Sequence, residues 1–189
     1  PIRLLMWGAN VGLFSASLFD CFEKIVCFEP APSSFRVLCE ALDLNPSLSC
    51  ESHNIGIADQ RGELIFEDEF DFSTTSRFVA SEGQNTIRAV VTLDNILGGR
   101  FAGLVVQIDV EGFEEKGFLG ADALFSNHLG KFVMFERLGR TNLASLRSFL
   151  YSREYVLFRV TDCMSITTYE RTISEPLINL FACPIDVFD

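Results

Sequence analysis

Along the 189 residues, short and nearly continuous apolar runs alternate with segments of helical period, and few folds accommodate that order. Ile2–Trp7, Ile25–Glu29 and Leu104–Val110 carry apolar side chains at consecutive positions. Such runs suit strands covered on both faces, as in a parallel sheet. Between them, Val11–Phe22 places Val11, Phe14, Leu18 and Phe22 on one helical face. A second helix opens at Pro32 and Ser33, shows Phe35, Leu38, Cys39 and Leu42 on one side, and stops at Asn45 and Pro46. The second half repeats the alternation, with a helix over Glu114–Phe125, a strand over Lys131–Glu136 and a helix over Asn142–Tyr151. Leu48–His53 reads as a strand. Gly62–Asp68 and Arg88–Leu93 read as antiparallel strands around a polar loop, Ser73–Asn85. Tyr155–Val160 and Leu177–Cys183 are strand-like, and their connection has no helical period. The expected architecture is an α/β doubly wound sheet with helices on both faces and an antiparallel pair at its end.

Composition narrows the partners. Fifteen basic against 26 acidic side chains give a net charge of −11, which repels phosphate backbones and anionic lipid surfaces. No nucleic-acid partner is expected, and no apolar run reaches the roughly 18 residues of a membrane span. Six cysteines are too few for a disulfide scaffold. Cys27, Cys39 and Cys183 sit in apolar runs as core thiols, no pair has C-x-x-C spacing, and a cytoplasmic, reduced protein is expected. The chain opens at Pro1 inside a strand-like run, so the expectation is one domain over residues 1–189, truncated at its N-terminus. The sequence is silent on oligomeric state.

In a doubly wound sheet, ligands bind beyond the carboxyl ends of the strands. The first such end carries Gly8-Ala9-Asn10-Val11-Gly12 and opens into a helix, and Glu29 follows about twenty residues later, where nucleotide-binding α/β folds place an acid on ribose hydroxyls. A dinucleotide fingerprint needs glycine where this chain has Asn10 and Leu13, and no P-loop is present. What remains is a cofactor with a ribose and no pyrophosphate, such as S-adenosyl-L-methionine. Two further strand ends carry Asp109-Val110-Glu111-Gly112-Phe113-Glu114 and Phe135-Glu136-Arg137.

With these residues the chain resembles the FkbM family of S-adenosylmethionine-dependent methyltransferases. The likeness rests on GANVGLFS at 8–15, FEPAPSSFRVL at 28–38, VTLDNIL at 91–97, IDVEGFE at 108–114, a strand ending in Glu136, and NLFACP at 179–184. The resemblance implies a Rossmann-like methyltransferase fold with a mostly parallel seven-stranded sheet. By the same resemblance, Gly8, Ala9, Asn10 and Gly12 shape the pocket for the methionine end, Glu29 with Pro30 beside it holds the ribose, and Ile57, Ala58 and Asp59 flank the adenine. Asp109 lies at the cofactor and, with Glu111 and Glu114, faces the methyl acceptor. The implied reaction is O-methylation of a sugar, glycan or other small molecule.

Three positions depart from the family pattern: Met6 stands where an aspartate is usual, Trp7 replaces a small β-branched residue, and Gln107 stands where lysine is usual. A general base is useful when the acceptor is an alcohol, and Asp109, Glu111 and Glu114 are the candidates, with Glu136 and His53 behind them. Each acid also suits a structural role at a helix start. No metal site is expected. Two rivals are a metal-dependent O-methyltransferase using Asp109 and Glu136, and a non-catalytic binding domain with a degenerate cofactor site, motivated by Met6. Phe70, Phe72 and Phe78 are candidates for a lid over the acceptor.

Overall fold

The computed structural model describes residues 2–67, 77–78, 86–98, 103–137, 141–160, 166–168 and 178–188. Phe70, Phe72 and most of the Ser73–Asn85 loop lie outside these residues. The main sheet has eight strands in the order β11-β10-β12-β9-β8-β1-β2-β3. Its parallel part consists of β1 (Arg3–Trp7), β2 (Lys24–Phe28), β3 (Cys50–His53), β8 (Leu104–Ile108) and β9 (Gly130–Arg137). Then β10 (Tyr155–Val160) and β12 (Ile178–Pro184) pair antiparallel, as expected. The last strand does not close an edge, however, but inserts between β9 and β10. The edge belongs to β11 (Ile166–Thr168), a three-residue strand in the connection that showed no period.

Side-chain alternation divides the core in two. Leu4, Met6, Ile25 and Cys27 point to one face and pack against Leu38 of α2 (Pro32–Asp43). Trp7, Phe28, Val106, Ile108, Val133 and Phe135 point to the other. There they meet Leu93 and Leu97 of α3 (Leu93–Leu97), Phe118 of α4 (Glu114–Leu119), Leu124 and Phe125 of α5 (Asp122–Ser126), and Leu146 and Leu150 of α6 (Leu143–Tyr151). Proline at the start of α2 costs no helical hydrogen bond, and Asn142 caps α6 by accepting the Ser145 amide.

Two expected helices are interrupted. The first is a five-residue α1 (Leu13–Ser17) that tightens into a 3₁₀ turn over Phe19–Cys21; Leu18 and Phe22 reach the core, whereas Phe14 is exposed. The second breaks between α4 and α5 at Gly120, which packs so closely on Ala58 that a Cβ would lie 1.9 Å from its carbonyl oxygen.

A second sheet of four strands, β4-β7-β5-β6, has no counterpart as a unit in the sequence pattern. It pairs β5 (Gly62–Glu67) antiparallel with β7 (Thr86–Val91), the hairpin read from the sequence, and adds β4 (Gly56–Ile57) and β6 (Arg77–Phe78). Through Gly56, Ile57 and Phe78 it forms one wall of a cavity at the carboxyl ends of β1, β2 and β8.

Candidate active site

The turn after β1 is held by hydrogen bonds that strand order makes available. The amides of Gly8 and Ala9 both donate to the Phe28 carbonyl, at 2.9 and 3.1 Å, and that of Gly12 donates to Ala9 at 3.0 Å. Gly8 has φ +77°, and a Cβ there would lie 1.8 Å from the carbonyl oxygen of Asp109, so only glycine fits. The amide of Asp109 donates to the Trp7 carbonyl at 2.9 Å, which closes the junction of β1 with β8.

Glu29, 5% exposed, ties this turn to the one after β2. Its Oε2 accepts the Asn10 amide and its Oε1 the Ala31 amide, both at 2.8 Å. Asn54 braces the same turn by donating to the Glu29 carbonyl at 2.8 Å. The amides of Gly8, Ala9, Asn10 and Gly12 are thus all donated within the chain. A pyrophosphate cradle needs such amides free to face the ligand, which agrees with the missing dinucleotide fingerprint.

Across Gly8 lie the acids of the third and fourth strand ends. One carboxylate oxygen each of Asp109, Glu111 and Glu136 lie within 4.8 Å of one another. The register that pairs Ile108 with Phe135 carries Asp109 alongside Glu136. Burial first, and then the charges of Glu136 and Glu111, push the Asp109 carboxyl up to about 7. Glu111 holds a left-handed conformation, φ +53°, that is rare for its type and occurs at functional turns. Glu114 behaves differently. It is 1% exposed, and its oxygens accept the Gly112 amide at 2.8 Å and the Thr141 hydroxyl at 3.2 Å. It holds the loop rather than lining the cavity.

The cavity has about 720 Å³ of empty space, part of it open to solvent. Of the residues singled out in the sequence, Gly8, Asn10, Glu29, Pro30, Ile57, Asp109, Glu111 and Phe78 line it. Ala9, Gly12, Ala58 and Asp59 do not: Gly12 faces Leu38, the Ala58 amide donates to Val91, and Asp59 lies 4.0 Å from Lys116. His53 stacks on Phe28 and pairs with Glu51, and His128 contacts the Arg153 carbonyl. The sequence offers Phe78 as a lid but not the aromatic wall it joins. Phe78 packs edge-on against Phe66 and tilts against Phe113, with centroids 5.0 and 4.8 Å apart. Phe28, Phe66 and Phe113 line the cavity with it. Phe28 and Phe113 fall inside the FEPAP and IDVEGFE stretches, whereas Phe66 carries no signal of its own.

A sequence model of the methyltransferase FkbM domain matches residues 7–157. The chain belongs to the FkbM methyltransferase family. No curated protein matches it. Among solved structures, the FkbM methyltransferase of Methylobacillus flagellatus KT is similar at 17% identity and TM-score 0.65, over 96% of this chain and 43% of that one. This FkbM chain therefore spans less than half of that protein's length. The precorrin-6y C5,15-methyltransferase of Geobacter metallireducens is similar at 10% identity and TM-score 0.54, over 96% and 79% of the two chains. An rRNA methylase from Streptococcus thermophilus shows 10% identity and TM-score 0.54, over 97% and 86%. At such identities these likenesses show the fold, which is the Rossmann-like methyltransferase fold. Among the described residues, no helix of this FkbM domain is long and apolar enough to cross a membrane.

Proposed function

We propose that the cavity binds S-adenosyl-L-methionine and that the domain directs its methyl group to a hydroxyl of a sugar, glycan or other small molecule. The observation that carries this reading is the Glu29 carboxylate, fixed by two amides at the wall of a cavity whose other side is the Asp109 cluster. Glu29 would accept hydrogen bonds from the ribose hydroxyls, and a carboxylate has acceptor sites for both tasks. Ile57 and Phe28 supply apolar surface for the adenine. Trp7, 1% exposed, adds its indole to the lining.

The cofactor supplies an activated methyl group, and the protein has to orient an acceptor oxygen and exclude water. Phe78 and Phe113 shield the cavity. Asp109, with a carboxyl near 7, takes the hydroxyl proton, because a base is most effective close to the working pH. Glu136 and Glu111 sustain that property and Glu114 holds the loop that presents it. The test has two stages. Calorimetric titration with S-adenosylhomocysteine should show micromolar binding that Glu29→Ala abolishes, and methyl transfer to a panel of sugars and polyols should then be lost in Asp109→Asn.

A second reading, a domain that retains the fold without turnover, draws on Met6. This residue sits among Leu4, Ile25 and Cys27 with the Ser15 hydroxyl on its sulfur at 2.9 Å, and offers no charge to the cofactor. Turnover on any acceptor that disappears in Glu29→Ala removes that reading. Methyl transfer that survives exhaustive chelation removes a metal-dependent one.

A further inference from the structure

On the face of the main sheet that α2 covers, two thiols touch. Cys27 of β2 is fully buried and Cys50 of β3 half-buried, and their sulfurs lie 3.7 Å apart, which is contact between sulfur atoms. Neither residue lines the cavity. The register sets Cys27 opposite Ser52 and Cys50 opposite Ile25, so the thiols meet diagonally across neighbouring strands, on the side where Leu38 packs. The Ser15 hydroxyl lies 3.5 Å from the Cys27 sulfur and gives it a polar neighbour in an otherwise apolar layer. β3 ends the main sheet and, among the described residues, pairs with β2 alone. A strand held by one ladder shifts more readily than one held by two.

We propose that Cys27 and Cys50 form a redox modification site: a hydroperoxide oxidises them to an intramolecular disulfide, and the strand shift that this requires loosens the turn at Glu29. The chemistry balances in two steps. One thiolate attacks the peroxide, the O–O bond breaks, and a sulfenic acid forms while the departing hydroxide takes up the proton that the thiol gave. The second sulfur then attacks the first, the S–O bond breaks, and the hydroxyl leaves as water with the second thiol's proton. Two thiols and one hydrogen peroxide thus give one disulfide and two waters. Sulfurs already in contact favour the second step over further oxidation of the sulfenic acid, because the attacking atom is in place. A diagonal pair is set further apart along the backbone than a directly opposed one, so closure to a bond of about 2.05 Å draws β3 along β2. That movement reaches the cavity. Cys27 precedes Phe28, whose carbonyl holds the amides of Gly8 and Ala9, and the Glu29 amide donates to the His53 carbonyl at 3.0 Å. His53 closes the strand that Cys50 opens, so a shift of β3 acts on that bond directly.

The experiment treats the purified, reduced protein with a small molar excess of hydrogen peroxide, traps the remaining thiols with iodoacetamide under denaturing conditions, and maps the digest by mass spectrometry without reductant. The expected result is a cross-linked peptide pair joining Cys27 to Cys50, two hydrogens lighter than the sum of its parts, which dithiothreitol separates. Hydrogen exchange measured on the same samples should quicken roughly tenfold at the amides of Glu29 and Ala31 in the oxidised protein and return on reduction. Cys50→Ser should lose both the cross-link and the faster exchange, whereas Cys39→Ser, at a half-buried position of α2, should keep both, with thermal melts confirming that the variants fold. Cross-linking through Cys39, survival of Cys27 and Cys50 as alkylatable thiols, or passage of Cys50 to sulfinic acid with Cys27 still reduced would each overturn the site. A Cys27–Cys50 disulfide that leaves exchange at Glu29 and Ala31 unchanged would overturn its link to the turn. No ligand enters either readout, so the result is independent of what the cavity binds.

Discussion

Glu29 accepts the amide of Asn10 at 2.8 Å although nineteen residues separate them. The bond joins the ends of β1 and β2, and the second oxygen of the same carboxylate holds Ala31. Removing the acid leaves two amides without their charged acceptor, and charge-assisted bonds are worth about 1.5 to 3 kcal/mol each. Glu29→Ala is expected to abolish measurable binding of S-adenosylhomocysteine and to lower stability by about 3 kcal/mol or more. Glu29→Gln, with one acceptor oxygen, should fall between the two. Calorimetry and thermal melts read both effects; unchanged binding in Glu29→Ala would remove Glu29 from the site.

Gly8→Ala should be among the most damaging single-methyl changes in the chain. The added carbon would lie 1.8 Å from the Asp109 carbonyl, at a positive φ that alanine resists. Backbone has to shift on both sides of the cavity, so binding and stability fall together, the latter by about 3 kcal/mol or more. Gly120→Ala meets a similar obstruction at the Ala58 carbonyl but away from the cavity lining. It should lower the melting temperature while largely sparing cofactor affinity in the protein that remains folded. Parallel melts and titrations of the two variants distinguish the cases.

Much of this was legible in the chain because apolar runs and strand ends are local signals. The strands β1, β2, β8 and β10 fall where continuous apolar residues placed them, and the acids just beyond the strands, Glu29, Asp109 and Glu111, line the cavity. What was not legible depends on contacts between distant segments. The Glu114–Phe125 segment keeps its helical period, yet it is divided at Gly120, which packs against the distant Ala58 carbonyl. Glu114 has the sequence appearance of Asp109 and Glu111, but Thr141, twenty-seven residues on, engages it away from the cavity. The insertion of β12 between β9 and β10 is a choice of partner, to which the composition of Leu177–Cys183 is indifferent. The aromatic wall arises only when β6 brings Phe78 to Phe113.

Met6→Asp restores the residue usual in the family at a position whose surroundings are now apolar. Met6 is 1% exposed beside Leu4, Ile25 and Cys27, with the Ser15 hydroxyl as its polar neighbour. A carboxylate there is buried with one good donor, which costs several kcal/mol in proteins unless further partners are found. The expected outcome is a loss of about 2 to 4 kcal/mol in stability with no gain in cofactor affinity, whereas Met6→Leu should cost less than about 1.5 kcal/mol. Tenfold tighter binding of S-adenosylhomocysteine with an unchanged melting temperature would instead place position 6 in the cofactor site.

The proton on Asp109 links stability and activity to pH in opposite directions. Its carboxyl is raised to about 7, first by burial and then by the charges of Glu136 and Glu111. The unfolded chain releases that proton near pH 4, so between about pH 4 and 7 the folded state binds more protons than the unfolded one. In that window Asp109 reduces stability as pH rises, and its destabilising effect is complete above pH 7. Asp109→Asn removes the ionisation and should therefore stabilise the protein at pH 8 by about 1 kcal/mol, less than the full shift implies because solvent screens the partly exposed group. That is roughly 2 to 4 °C in melting temperature for a chain of this size, and the advantage should vanish by pH 4. Activity should follow the deprotonated fraction, with kcat/KM rising through a midpoint near 7 in the parent and absent in Asp109→Asn. Melts of both proteins from pH 4 to 8.5, beside a pH–rate profile of the parent, check both limbs. A stabilisation that does not vary with pH would mean that the substituted amide gains by packing alone and that the raised carboxyl is not the cause.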